Sequence, residues 1–304
     1  MAKTFSYYPG CSMHSTGSDF SASLKAICKY LGIELKEIPD WNCCGASATH
    51  IADHELGYNL ALRNLILAEQ MGGNDVVTPC ASCFANLKHA EHEGRKKGSG
   101  IAGQFKGDVT VRNLLEVIVN EIGLDEIKKH TKQSLHHLKP AAYYGCLMVR
   151  PPEIMQMDDA EDPVMIDNVC GALGAQSVKW SYKTDCCGAS LSVPRTDVVV
   201  GLISKIFTAA QESGANCIVT ACPMCQLNLD TRQAAAAAKT GQNFNMPVYY
   251  FTELMGVAFG LQEYGNWFKK HIVNPLPLIE DALSAPPPPE PEKKKKKQEA
   301  AAEA

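Results

Sequence analysis

Trp41-Asn42-Cys43-Cys44-Gly45 and Asp185-Cys186-Cys187-Gly188 carry the same Cys-Cys-Gly motif, and each lies in the middle of a longer pattern. A single cysteine precedes each motif, at Cys11 and Cys146, and a CxxC pair follows, as Cys80-Ala81-Ser82-Cys83 and Cys222-Pro223-Met224-Cys225. The groups are separated by 31 and 35 residues in the first copy and by 39 and 34 in the second. Ten of the 13 cysteines are accounted for in this way, so the chain divides into two equivalent five-thiolate units. That arrangement points to metal or redox chemistry.

The elements around the motifs repeat as well. Thr4 to Tyr8 is predicted as a short strand that delivers Pro9-Gly10-Cys11, and Ala141 to Tyr144 as one that delivers Gly145-Cys146. Phe20, Leu24, Ile27 and Leu31 have helical spacing, stopped at Gly32, and a strand-like Glu34 to Ile38 and a Pro39-Asp40 turn follow. In the second copy Asp162 to Leu173 reads as a helix and Gln176 to Trp180 as an extended segment. After each Cys-Cys-Gly comes a longer amphipathic helix, Glu55 to Gln70 and Asp197 to Glu212. Strands at Asp75 to Thr78 and Asn216 to Thr220 then lead into the CxxC pairs, and helices follow both. The expected fold is α/β: two tandem, pseudo-symmetric, Rossmann-like repeats with the cysteines at the C-terminal ends of parallel strands. Residues 1–139 and 140–275 are the two expected domains, and 276–304 an expected disordered tail.

Composition bounds the class. A chain of 304 residues, 45% hydrophobic and 20% charged, is expected to fold as a soluble globular protein. A net charge of −4 gives no reason to expect nucleic acid. No secretory signal opens the chain and no apolar run approaches the ~18 residues of a membrane span, so a cytoplasmic location is expected. In a reducing compartment cysteines at these spacings serve metals or redox centres rather than structural disulfides. The tail, with Pro286 to Pro289 and five lysines from Lys293 to Lys297, reads as a stiff spacer and a solvated charge run.

An ordinary iron–sulfur cubane takes four thiolates gathered from several loops, and each copy offers five. Adjacent cysteines point apart along extended backbone, so Cys43 and Cys44 suit different irons. A cubane with a spare thiol and a larger or opened cluster both remain consistent with that count. In each CxxC a helix start would put both sulfurs on one face, with Pro223 suited to the first helical position. Gly45 and Gly188 either let backbone amides approach cluster sulfurs or simply turn the chain. Zinc is the competing metal, but its sites use two tight ligand pairs rather than a CxxC, a Cys-Cys and a distant single cysteine.

Taken with Tyr8-Pro9-Gly10-Cys11, Tyr144-Gly145-Cys146 and Glu161-Asp162-Pro163, these motifs resemble the CCG-domain family, in particular the B subunits of heterodisulfide reductases. The resemblance covers about residues 5–260. It implies that Cys11, Cys43, Cys44, Cys80 and Cys83 bind one non-cubane [4Fe–4S] cluster and that Cys146, Cys186, Cys187, Cys222 and Cys225 bind a second. It further implies a disulfide, such as the coenzyme M–coenzyme B heterodisulfide, held between the two and cleaved or formed there. The sequence contains no ferredoxin-like cysteine run and no glycine-rich nucleotide fingerprint. Electrons are therefore expected from partners: an iron–sulfur C-type subunit and a flavin-bearing A-type subunit. CCG proteins also resemble electron-transfer subunits of lactate, glycolate, glycerol-phosphate and succinate oxidoreductases, which is the alternative.

The surroundings of the two copies differ. His14 lies three residues beyond Cys11 where Val149 follows Cys146, and His50 lies six beyond Cys44 where Val193 follows Cys187. His50 is predicted as a proton donor to leaving thiolates, with His14 and His54 behind it, against the competing reading of solvent-facing loop histidines. Arg150 and Arg195 flank the second copy as candidate anion contacts or ordinary surface arginines. Cys28, Cys170 and Cys217 fall outside both patterns and read as small core hydrophobes.

Overall fold

The structure is a computed structural model and describes residues 3–46, 49–96 and 100–284, the side chains of residues 50, 51 and 100 excepted. The tail expected from residue 276 does not begin there: Leu276–Ser284 forms a helix that buries Ile279 and Ala282, because its apolar residues recur at helical spacing. The Pro/Lys-rich remainder, residues 285–304, lies outside the described residues.

Two parallel sheets form the frame. The first has the order β2-β1-β3-β4, with β1 at Lys3–Tyr7, β2 at Ile33–Glu37, β3 at Val76–Thr78 and β4 at Val111–Asn113. The second has the order β5-β6-β7, with β5 at Pro140–Tyr143, β6 at Cys217–Thr220 and β7 at Val248–Tyr250. Every pairing is parallel, for example Tyr7 with Val77 and Tyr143 with Thr220. Strands β3 and β6 are buried along their whole length, as parallel strands covered on both faces must be.

The helices form where the apolar spacing places them. α1 (Ser18–Tyr30) buries Phe20, Leu24 and Ile27 on one face. α2 (His54–Gln70) starts at Asp53, whose carboxylate accepts the amides of Glu55 and Leu56 at 2.9 and 3.0 Å. α3 (Ala81–Gly94) begins directly after Cys80. In the second half α4 (Met165–Ala172), α5 (Thr196–Glu212) and α6 (Pro223–Thr231) take the corresponding places, and α6 begins directly after Cys222 with Pro223 in its first turn. The halves meet where α1 packs on α7 (Phe251–Ala258). There Phe20 stacks on Tyr250 with ring centroids 4.2 Å apart, and the Ser23 and Thr252 hydroxyls lie 2.7 Å from each other.

Within the two halves the structure departs from the sequence reading at three further places. Residues 176–180 run beside β5 but form no strand. Gln176 and Val178 donate to the carbonyls of Leu138 and Pro140, but Pro140 has no N–H to return, and the Trp180 indole, not its backbone, reaches the Ala142 carbonyl. The helix expected from Asp162 begins at Met165, because Asp158 accepts the amides of Val164 and Met165 while Asp159 accepts those of Glu161 and Asp162, which holds the preceding stretch as turns. Each sheet also gains a strand, β4 and β7, that the duplicated pattern did not include. Both are only three residues long, too short for an alternation signal.

Candidate metal centre

All ten cysteines of the two patterns line a single cavity of about 330 Å³. They reach it from strand ends: Cys11 and Cys146 just past β1 and β5, Cys80 and Cys222 just past β3 and β6, and the two Cys-Cys-Gly turns from loops beside them. In each pair the first cysteine, Cys43 or Cys186, is exposed and the second, Cys44 or Cys187, is buried, as expected for adjacent side chains that point apart.

The two halves support their sulfurs in the same way. The Tyr8 hydroxyl donates to the Asn42 carbonyl at 2.8 Å and the Tyr143 hydroxyl to the Asp185 carbonyl at 2.5 Å, each just before the Cys-Cys pair. On the far side the Asn86 and Asn228 carboxamides donate to the carbonyls of Cys44 and Cys187, at 3.0 and 2.7 Å. The sequence reading missed these four residues. Their signal was a tyrosine three residues before each lone cysteine and an asparagine three residues after each CxxC.

Glycine enters twice. Gly45 and Gly188 have φ of 80° and 77°, and their amides donate back to the sulfurs of Cys43 and Cys186, the latter at 3.3 Å. They turn the chain and aim a donor at sulfur through the same geometry. Gly10 and Gly145, with φ of 73° and 68°, lie against the second cysteine of each CxxC. A Cβ there would meet Cys83 Sγ at 2.7 Å and Cys225 Sγ at 3.1 Å.

Hydrogen bonds between neighbouring thiols hold some as thiolates and others protonated. Cys44 is drawn down to about 3 by hydrogen bonds from the Cys43 and Cys83 thiols, and Cys186 to about 6 by the Cys146 thiol. Cys43, Cys83 and Cys146 are pushed up in return by the same contacts and by burial. Cys80 and Cys222 face each other across the two halves: Cys222 is drawn down by hydrogen bonds from the Cys225 and Cys80 thiols, and Cys80 is pushed up by the contact with Cys222 and by burial. No lysine, arginine, histidine or acid lines the cavity among the described residues. All ten sulfurs can therefore ionise together only beside cationic metal.

Five thiolates in each half suit iron–sulfur ligation, and the closest thiolate pairs lie at metal-binding separations. Cys44 and Cys83 sulfurs lie 3.5 Å apart and Cys187 and Cys225 sulfurs 3.6 Å apart, far beyond a disulfide bond and close to the ~3.8 Å edge of a tetrahedral site with metal–sulfur bonds of about 2.3 Å. Of the predicted proton donors, His14 stacks on Trp41 and sits 3.7 Å from Glu37, and His54 is exposed at the start of α2; neither lines the cavity. The His50 side chain lies outside the described residues. Arg150 pairs with Glu161 at 3.1 Å and Arg195 with Asp197 at 2.9 Å, both away from the cavity lining. Cys28, Cys170 and Cys217 are buried in the core, and burial pushes Cys28 and Cys170 up to about 12.

Two parallel α/β halves that each present five cysteines at strand ends define a cysteine-rich CCG-domain protein, and the chain belongs to that family: the cysteine-rich domain model matches residues 5–88 and 141–230. Within the family it is similar to the B subunits of heterodisulfide reductases. The B subunit of the ferredoxin:CoB-CoM heterodisulfide reductase of Methanosarcina mazei is 30% identical over 84% of this chain and 89% of its own length. The 8-methylmenaquinol:fumarate reductase membrane anchor subunit of Wolinella succinogenes is 33% identical over 86% of this chain and 94% of its own. A crystal structure of a hypothetical protein from Helicobacter pylori shares the fold with a TM-score of 0.64 at 11% identity, covering 90% of this chain and 52% of that one, so this chain spans about half of that protein. Among the described residues no helix is long and apolar enough to cross a membrane.

Proposed function

We propose that the chain is the iron–sulfur subunit of a heterodisulfide reductase-like oxidoreductase complex, and that its cavity is where a disulfide or related thiol or sulfur substrate is cleaved or formed. The observation that carries this reading is the convergence of both five-cysteine sets on one cavity, with Cys80 and Cys222 face to face. The first set, Cys11, Cys43, Cys44, Cys80 and Cys83, and the second, Cys146, Cys186, Cys187, Cys222 and Cys225, would each hold one [4Fe–4S] cluster of non-cubane form. Bound there, the clusters supply the two electrons that reduction of one S–S bond to two thiols consumes.

The chain's own residues prepare the site. Tyr8, Tyr143, Asn86 and Asn228 fix the Cys-Cys backbones, and the Gly45 and Gly188 amides stabilise thiolate charge. Ser12, Ser82 and Ser190 give the lining its hydroxyl groups. His50 is the proton donor of this proposal. Electrons arrive through C-type and A-type partner subunits, and the complex is cytoplasmic in this reading.

Iron and labile sulfide measured on anaerobically purified protein test it: about eight irons per chain are expected for two four-iron clusters, and zinc without sulfide would sink the cluster reading. A paramagnetic resonance signal that changes on adding a thiol supports a substrate site. His50→Gln with unchanged turnover in both directions removes that proton donor.

The alternative is an electron-transfer subunit of a fumarate reductase- or glycolate oxidase-type enzyme. It is favoured by the likeness to the Wolinella protein over 94% of that protein's length. Clusters that are redox-active but indifferent to thiols select it.

A further inference from the structure

Outside the cysteine cavity, three ligand-bearing side chains converge in the seam between the halves. Asp19 comes from the first turn of α1, Glu253 from the first turn of α7 and His271 from the segment that follows. Their ligand atoms lie within 4.8 Å of one another. His271 Nε2 is 3.0 Å from Glu253 Oε1 and 3.8 Å from Asp19 Oδ2, and the three side chains are at most 4% exposed. The other carboxylate oxygen of Asp19 is buried with no hydrogen-bond partner.

The charges do not balance without an added cation or protons. Asp230 also faces this cluster, so three carboxylates surround one imidazole, and among the described ion pairs none brings a lysine or arginine to them. Asp230 is provided for, since its oxygens accept the amides of Ile272 and Val273 at 2.6 and 3.1 Å. Glu253 has the Tyr250 amide on its other oxygen, but the imidazole is the one cation described beside Asp19 and Glu253, and burying carboxylate charge without a matching cation is costly.

We infer that Asp19, Glu253 and His271 form a binding site for one divalent cation that joins the two halves of the chain. One imidazole and two carboxylates suit zinc or manganese. Outer contacts are in place: Glu253 Oε2 accepts the Tyr250 amide at 2.9 Å, and the Gln226 carboxamide lies 3.5 Å from His271 Nδ1. The cation would bind in the seam that also holds the Phe20–Tyr250 stack, so it would strengthen the contact that keeps the two cysteine sets facing each other. The competing way to balance the cluster is protonation of its carboxyl groups.

The cluster-loaded full-length chain, after dialysis, is assayed for zinc and manganese by elemental analysis and then titrated with Mn(II), free ion being read by paramagnetic resonance. Manganese prefers oxygen and nitrogen over thiolate, so it reports on this site rather than on the cysteines. The expected result is one equivalent of zinc plus manganese per chain. Binding should be at least tenfold weaker in Asp19→Asn and Glu253→Gln, with iron and sulfide unchanged and folding verified by circular dichroism. The wild-type melting temperature should also rise with manganese, a measurement that needs no variant. Neither metal on the wild-type chain, or equal binding in folded variants, overturns the site in favour of protonated carboxyls. The outcome is independent of the iron–sulfur reading, which stands or falls on iron and sulfide.

Discussion

Gly10 packs so closely on Cys83 that a Cβ at its position would come within 2.7 Å of the sulfur. The corresponding approach of Gly145 to Cys225 is looser, at 3.1 Å. Gly10→Ala should therefore displace Cys83 and strain a backbone at φ 73° and ψ 164°, a region almost reserved for glycine that costs other residues about 1–3 kcal/mol. The expected outcome is a chain that retains roughly half its iron, as two equivalent clusters imply. Gly145→Ala should lose less. Iron and sulfide per chain check both, and equal retention in the two variants would contradict the steric argument.

Tyr8 and Tyr143 each hold a Cys-Cys turn through one hydroxyl. Replacement by phenylalanine removes a partly buried hydrogen bond worth about 1 kcal/mol without opening a cavity. Tyr8→Phe and Tyr143→Phe should fold normally but release iron faster to a chelator. The double variant should release it fastest if both turns hold metal. Unchanged release rates would mean that the turns are fixed by other contacts.

Cys28, Cys170 and Cys217 separate core packing from ligation. Each is buried among apolar side chains, so changing any one of them to alanine should cost about 1 kcal/mol in stability while leaving iron content intact. Cys44→Ala or Cys187→Ala, by contrast, should lower iron content. Loss of iron in Cys170→Ala would show that the core cysteines do more than pack.

Lys183 provides a pH test. Burial opposes its charge, but Asp162 at 2.7 Å and Asp167 at 3.2 Å outweigh that and hold its pKa above the ordinary lysine value of 10.5. Its carbonyl also accepts the amides of Tyr144 and Gly145, which places the turn before Cys146. A raised folded-state pKa contributes stability that is complete below the unfolded value and lost as pH rises through the folded one. The melting temperature should accordingly fall above about pH 10.5. Lys183→Met should be roughly 1–2 kcal/mol less stable at pH 8, Asp162 being largely exposed, and lose the Lys183 part of that alkaline fall. Parallel melting curves for both proteins across the range would refute the ion-pair account.

Much of this could be read from the chain itself. Cys11, Cys43, Cys44, Cys80 and Cys83 and their second-copy counterparts were legible because ligand spacing and duplication are written in sequence order. The helices before and after them were legible because apolar residues recur at the helical period, as Phe20, Leu24 and Ile27 do. The edge segment 176–180 was not, since its failure to pair depends on which residue lies opposite, and that residue is Pro140.

The sequence by itself determined the ligand inventory, the two-fold repeat and the parallel α/β class, because these follow from residue type and local spacing. Only the tertiary structure decided that the two sets face one cavity, that Cys80 opposes Cys222, that Tyr8 and Asn86 grip the same turn from either side, and that Asp19 of one half meets Glu253 and His271 of the other. Those relationships join residues far apart in the chain. They are fixed by how the sheets and the α1–α7 seam pack, a property of summed burial and complementary shape that no local pattern encodes.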